Sequence, residues 1–385
     1  MGPHWKHFSP DSAVSEQSPS LRWTAIPTSR KSPAISVSSM GGGSSGTYAA
    51  IRLLDSGKTV AAASMATPNE KFIGLRTADV FANYTPPDPT AALAAYGAQF
   101  AKYPRLEEGL FLPDLIPDDL LTPFGEFVRK YSLDDAVSTI FRFGQGLGDL
   151  LRQPTLYVFK NFGIDVLHDI QIGFLDTVHQ DNHEIYDRVL DILGPDAVFL
   201  RSRVLAMDRS TAPDHVQTRE PRRLRPLFHE QQLFGSFRNS AYYTCLLRGA
   251  GLPDSTPITN FAGQTPFHLP PLPGLYSIMP TVVPGLFDVK YGSPFPLPDS
   301  VVKADIIPTI KSLAETNITT STPDPEFVAF NSHTPFELAV STEAIKSGFY
   351  KELYALQGRR NTFYTGAAFH TQASPLLWRF TEGVV

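Results

Sequence analysis

Six residues, Gly41-Gly42-Gly43-Ser44-Ser45-Gly46, restrict what this chain can fold into more than any other stretch. They fit the pattern G-x-G-x-x-G at Gly41, Gly43 and Gly46. Residues 47–56 then place Tyr48, Ile51 and Leu54 at helical spacing, Gly57 suits the helix end, and 59–63 reads as a second strand. In such a unit the first glycine makes the tight turn and the second lets the backbone approach a pyrophosphate. The third lets helix and strand pack closely. The helix N-terminus, starting near Thr47, offers unpaired N–H groups and a partial positive charge to that anion. A glycine–serine cluster behind a serine-rich stretch also reads as plain linker. The helix and strand that follow in the right order favour the nucleotide-binding reading. Two features count against a strong site. The preceding segment 34–40 has only Ile35 and Val37 as β-branched apolar residues, where a buried parallel strand is usually a nearly continuous apolar run. The acidic residue expected about 20 positions on, to bind a ribose hydroxyl, is replaced by Ser64.

With 385 residues the chain can bury a large core and form two domains. Hydrophobic residues make up 42% and charged residues 18%, and the net charge of −5 gives no reason to expect nucleic acid or an anionic membrane as partner. No apolar run is long enough to span a bilayer. The polar, aperiodic stretch 1–33 reads as a flexible tail without a secretory signal, so the expectation is a soluble protein with a small-molecule substrate. The single cysteine, Cys245, excludes an intrachain disulfide and a cysteine-rich zinc site, and reads as a small buried hydrophobe.

The middle of the chain changes texture twice. Residues 90–102, 132–141, 147–162 and 181–193 read as helices, with 132–135 resembling a capping box. His179 and His183 share helical spacing, but no third ligand is identifiable and no metal is expected. Residues 197–208 read as a strand that would join the nucleotide-binding sheet, and the arginine-rich run 218–225 reads as a solvated connection. From 239 to 332 the chain becomes β-rich and aromatic, with strands expected at 241–247, 274–283, 287–291 and 326–331. Lys290, inside one of these, reads either as an exposed edge lysine or as a residue facing a cofactor.

Near the C-terminus, 362–365 reads as a strand breaking at Gly366, and 376–382 as a helix. Here a resemblance becomes specific. The run NTFYTGAAFHTQ with the later LLWRFTE is similar to the C-terminal flavin motif of fungal FAD-dependent oxidoreductases related to β-cyclopiazonate dehydrogenase, within the flavin-containing amine oxidase superfamily. GGGSSGTYAAIRLLDSGKTV resembles the N-terminal FAD motif of the same family, and most of the chain looks like family sequence.

The resemblance implies an α/β fold with a discontinuous Rossmann-like FAD-binding domain, from 34–85, 196–232 and 346–385. It also implies an α+β substrate-binding domain, a helical block and a mixed or antiparallel sheet, from 86–195 and 233–345. The cofactor-binding set it implies is Gly41, Gly43, Ser44, Ser45, Gly46, Thr47, Ser64, Val204, Gly366 and Ala367, with Lys290 and His370 as candidate catalytic residues. The implied activity is dehydrogenation of a small organic metabolite in fungal secondary metabolism, by hydride transfer to flavin N5. The chain departs from the family pattern in two places. It runs from Ser64 almost directly to Asn83-Tyr84-Thr85-Pro86-Pro87, and the arginine-rich run stands where further strands are expected. A competing reading is therefore a cofactor-poor relative that binds a hydrophobic metabolite or partner, or catalyses a non-oxidative step such as cyclisation.

Overall fold

The computed structural model describes residues 69–172, 183–194, 198, 206–207, 216–217 and 228–384. The glycine motif at 41–46, Thr47, Ser64, Val204 and His179 lie outside the described residues.

Helices and sheet each enclose a core of their own. In the helical block, Thr90–Phe100 buries Ala92, Tyr96 and Phe100, four residues apart on one face, and Tyr96 donates its hydroxyl to the Phe162 carbonyl at 2.8 Å. The rings of Phe100, Phe124, Phe127 and Phe159 pack around it with centroids mostly 5 to 6.4 Å apart, largely edge to face. Ser132 does not start a helix as a capping box would. It takes a left-handed conformation, φ 53°, and closes the preceding helix Phe124–Tyr131, with Leu133 N bonded to the Val128 carbonyl at 3.0 Å. The next helix, Val137–Phe143, follows a 3-10 turn. The expected helix over 147–162 is likewise interrupted at Pro154, which lacks an N–H, and the α-helical part is Thr155–Asn161.

Seven strands form a mixed sheet: β1 Lys71–Gly74, β2 Asp79–Val80, β3 Ala241–Arg248, β4 Ile258–Asn260, β5 Gly274–Pro280, β6 Leu286–Ser293 and β7 Glu326–Ser332. Their spatial order is β7-β3-β6-β5-β4-β1-β2. Every neighbour is antiparallel except β1 and β4, which run parallel with Lys71 opposite Ile258. β1 and β2 thus belong to the sheet of the β-rich segment, although 34–85 reads as cofactor-binding in sequence. Four residues do not reveal which of two sheets they join, because pairing is set by the distant partner.

The alternation along β3 and β6 defines two faces. Tyr243, Cys245, Leu247, Phe287, Val289 and Tyr291 are buried against Val302, Ile306 and Ile310 of the helix Asp299–Ser312. Burial pushes the Cys245 thiol up to about 12, as befits a structural hydrophobe. The opposite face carries Tyr242, Thr244, Ser277 and Lys290, and turns toward the helical block.

The C-terminal segment completes the helical core. Helix Thr342–Lys346 is capped by Ser341 Oγ, which accepts from Ala344 N at 3.2 Å. Tyr350, in the helix Phe349–Tyr354, shares a 2.8 Å hydroxyl–hydroxyl bond with Tyr157. The strand expected at 362–365 does not form. The Gln357 amide pairs with both N and O of Tyr364 at 2.7 Å, filling the role a neighbouring strand would take. Among the described residues no helix is long and apolar enough to cross a membrane.

Candidate functional site

A cavity of about 360 Å³ opens between the helix Val137–Phe143 and the sheet face formed by β4 and β5. Phe72, Tyr84, Phe141, Phe261, His268 and Tyr276 give it an aromatic wall. His268 stacks on Phe261 at 4.4 Å and meets the Tyr84 ring edge-on at 5.6 Å. Phe267 and His268 both adopt left-handed backbone, φ 56° and 58°, a strained state for residues with side chains. Among the described residues, His268 Nδ1 is buried and has no hydrogen-bond partner.

The polar part of this wall is concentrated at one ion pair. Arg142, in the last turn of its helix, binds Glu70 Oε1, which also accepts from the Thr259 hydroxyl on β4. Gln145 accepts from the Tyr242 hydroxyl at 2.9 Å. Burial raises the Tyr242 and Tyr276 phenols far above their ordinary range, so both are neutral hydrogen-bonding groups.

Behind the helical block lies the C-terminal turn. Gly366 has φ 109° and ψ 179°, a region essentially restricted to glycine. Ala367 follows in a 3-10 turn, Ala367–Phe369, and the helix Ser374–Glu382 begins just beyond without a side-chain cap. Between turn and helix stand His370 and Thr371, both buried. His370 Nε2 lies 3.0 Å from the Glu107 carbonyl. A carbonyl only accepts, so Nε2 carries the proton and Nδ1 is a bare acceptor. Among the described residues neither His370 Nδ1 nor Thr371 Oγ1 has a partner. Burial, helped by the nearby Lys160 amine, pushes the His370 imidazole down to about 3. It is therefore neutral at physiological pH and a weak base. Lys160 is itself buried, donates to the Leu106 carbonyl and has Glu107 and Glu337 as its acidic neighbours.

The turn and the cavity are linked through side chains. Gln372 donates to the Phe336 carbonyl at 2.6 Å, the Phe336 ring lies 5.1 Å from Tyr242, and Tyr242 lies 6.1 Å from Tyr276 in the cavity wall. Of the residues singled out in sequence, Gly366, Ala367 and His370 come together at the turn. Lys290 stands apart on β6, half-buried, with Nζ 3.6 Å from Asp288 Oδ2. β6 is an interior strand, so Lys290 is not an edge lysine. It sits in register with Thr244 and Ser277, and Ser277 lines the cavity. Glu70, Arg142, Gln145 and Tyr276 carry no motif that marks them in sequence. They meet because a helix and two strands distant along the chain converge.

No family model matches the chain. It is 38% identical to an FAD-dependent oxidoreductase of Cochliobolus heterostrophus over 337 residues, covering 78% of this chain and 69% of the relative. A second FAD-dependent oxidoreductase, of Emericella nidulans, is 31% identical over 416 residues, covering 89% of this chain and 88% of the relative. The chain belongs to the fungal FAD-dependent oxidoreductase family. Within that family it is also 28% identical to β-cyclopiazonate dehydrogenase of Aspergillus oryzae, over 90% of this chain and 91% of the relative. The 416 positions aligned with the Emericella relative outnumber the residues this 385-residue chain contributes by several dozen, so the family alignment opens gaps here. In fold, the chain resembles the crystal structure of the CLA-producing fatty acid isomerase from P. acnes, with a TM-score of 0.65 at 15% identity over 90% of this chain and 96% of the other. This family member therefore has a mixed α/β architecture, a helical block with a mixed sheet, of the FAD-binding oxidoreductase type.

Proposed function

We propose that this chain is an FAD-dependent oxidoreductase that dehydrogenates a small organic metabolite in fungal secondary metabolism. The observation that carries the reading is the match to the Emericella nidulans oxidoreductase over 89% of this chain and 88% of that relative. The buried, unpartnered His370 Nδ1 and Thr371 Oγ1 beside a glycine-only turn and an uncapped helix N-terminus fit a cofactor with polar edges. Gly366 and Ala367 then hold the flavin end, and Gly41, Gly43, Ser44, Ser45, Gly46 and Thr47 the pyrophosphate, with Ser64 and Val204 toward the ribose and adenine. Bound there, FAD would supply the two-electron acceptor chemistry, hydride acceptance at flavin N5, that the dehydrogenation needs.

The chain's own residues do the rest. The aromatic cavity binds the substrate and excludes water, with Tyr276 in its wall fixed by Gly146 N and Gln145 fixed by the Tyr242 hydroxyl behind it. His370, protonated on Nε2 toward Glu107, keeps Nδ1 as a fixed acceptor and is a positioning residue. Lys290, in register with Ser277 of the cavity wall, is the candidate catalytic residue on the sheet. The cofactor-binding portion we propose comprises 34–85, 196–232 and 346–385, whose strands Lys71–Gly74 and Asp79–Val80 pair into the seven-stranded sheet.

One observation favours a second reading. Ser64 in place of an acid, together with the alignment gaps, weakens cofactor retention, and a non-redox binder or cyclase would need only the cavity. The visible spectrum of the purified protein after incubation with FAD and gel filtration separates the two. Retained flavin bands that bleach on addition of substrate support the oxidoreductase. A colourless protein overturns it.

A further inference from the structure

The Glu70–Arg142 pair is only half used. The Arg142 guanidinium carries five N–H donors, and one of its terminal nitrogens is engaged by Glu70. Glu70 Oε1 takes both Arg142 and Thr259, while Oε2 has no partner among the described residues. Among the described residues the pair therefore presents free donors next to a free acceptor, in the wall of a cavity whose lining is otherwise uncharged, made of aromatic rings, prolines and a few neutral polar side chains. None of these open atoms is among the buried unpartnered ones, so they face solvent in the cavity, and a ligand that takes the solvent's place binds well only where it replaces those hydrogen bonds. The side chains are 12% and 36% exposed, so the pair is held within the wall and not splayed into solvent.

We infer that this pair is the specificity element of the cavity, and that it selects flat conjugated ligands carrying an acceptor oxygen beside a donor N–H or O–H. Amides, lactams and enolised hydroxy-carbonyls have this edge. The acceptor oxygen takes the free Arg142 N–H groups, and the ligand's donor reaches Glu70 Oε2. A carboxylate fits less well, because it offers no donor and faces the Glu70 charge. The aromatic rings supply area and flatness but cannot tell these ligands from plain hydrocarbons, and among the polar side chains of the lining Glu70 and Arg142 are the ones that carry full charges, which makes their hydrogen bonds the strongest on offer. Arg142 and Glu70 are thus binding residues of the proposed substrate site.

This inference rests on the substrate half of the function proposed above and not on FAD uptake, so its test needs no flavin. Isothermal titration of the full chain with 2-naphthamide, 2-naphthoate and 2-ethylnaphthalene reads it directly. The amide binds at least about tenfold more tightly than the hydrocarbon, as a charge-assisted bond allows, and more tightly than the carboxylate. Arg142→Met removes the preference for the amide over 2-ethylnaphthalene, and an unchanged far-UV circular dichroism spectrum reports that the variant has folded. Arg142→Lys, which keeps the charge but loses the planar fork, removes most of the preference. Equal binding of amide and hydrocarbon, no binding of any probe, tighter binding of the carboxylate, or a preference that survives both variants overturns the inference. A protein that fails to take up FAD but passes this titration would sink the redox reading alone.

Discussion

Tyr276 lies across Gly292 on the neighbouring strand so closely that a Cβ at Gly292 would overlap its ring. The Tyr276 hydroxyl also reaches Gly146 N at 3.3 Å, at the junction between helix and sheet. Gly292 is therefore what lets a full tyrosine lie flat in the cavity wall. Gly292→Ala should destabilise the protein by about 1–3 kcal/mol through overpacking, read as a lowered urea midpoint with an unchanged slope. An unchanged midpoint would show that Tyr276 moves aside at no cost.

Lys160 makes stability depend on pH in a way surface lysines do not. Burial pushes its amine down from the ordinary 10.5 to about 7, against the pull of Glu107 and Glu337. Between these values the unfolded chain binds a proton that the folded chain does not, so stability rises as pH rises from about 7 to 10.5. Glu337 works in the opposite sense. Burial raises its carboxyl from 4.5 to about 7, and its contribution is lost as pH rises through that window. Lys160→Met should flatten the upper limb, measured as urea midpoints at intervals above pH 7. A wild-type midpoint that falls steadily from pH 7 to 10 would contradict this sign.

Gly366 should tolerate no side chain. Its φ of 109° with ψ of 179° carries a strain of about 1–3 kcal/mol for any other residue. Gly366→Ala should lower the thermal midpoint and shift the buried His370 and Thr371. A histidine NMR titration that leaves His370 neutral down to about pH 3 in both proteins would show that the turn had absorbed the change.

Much of the helical block is legible in sequence because its signals are local. Ala92, Tyr96 and Phe100 repeat every four residues, and in the sheet the apolar run 241–247 likewise reads as a strand, although its alternation shows only in burial. Ser132 reads as a helix start from its neighbours, yet it ends one, because a left-handed residue closing Phe124–Tyr131 satisfies the Val128 carbonyl. The absent strand at 362–365 has a similar cause, since Gln357 pairs with Tyr364 in place of a neighbouring chain. The candidate site is less legible. Its glycines stand out as words, but Glu70 and Arg142 are 72 positions apart and neither belongs to a motif. Lys290 reads as an edge residue because strand order in a sheet is a property of distant pairings, which composition does not encode.

The central claim is that the two glycine turns, Gly41 to Gly46 and Gly366, hold one FAD between them. Titrating FAD against the purified chain and following quenching of flavin fluorescence tests it most directly, with Gly43→Val and Gly366→Val as partners to the wild type. The account predicts saturable uptake of a single FAD by the wild type and its loss in both variants. Absence of saturable uptake by the wild type, or uptake untouched by either substitution, would contradict it.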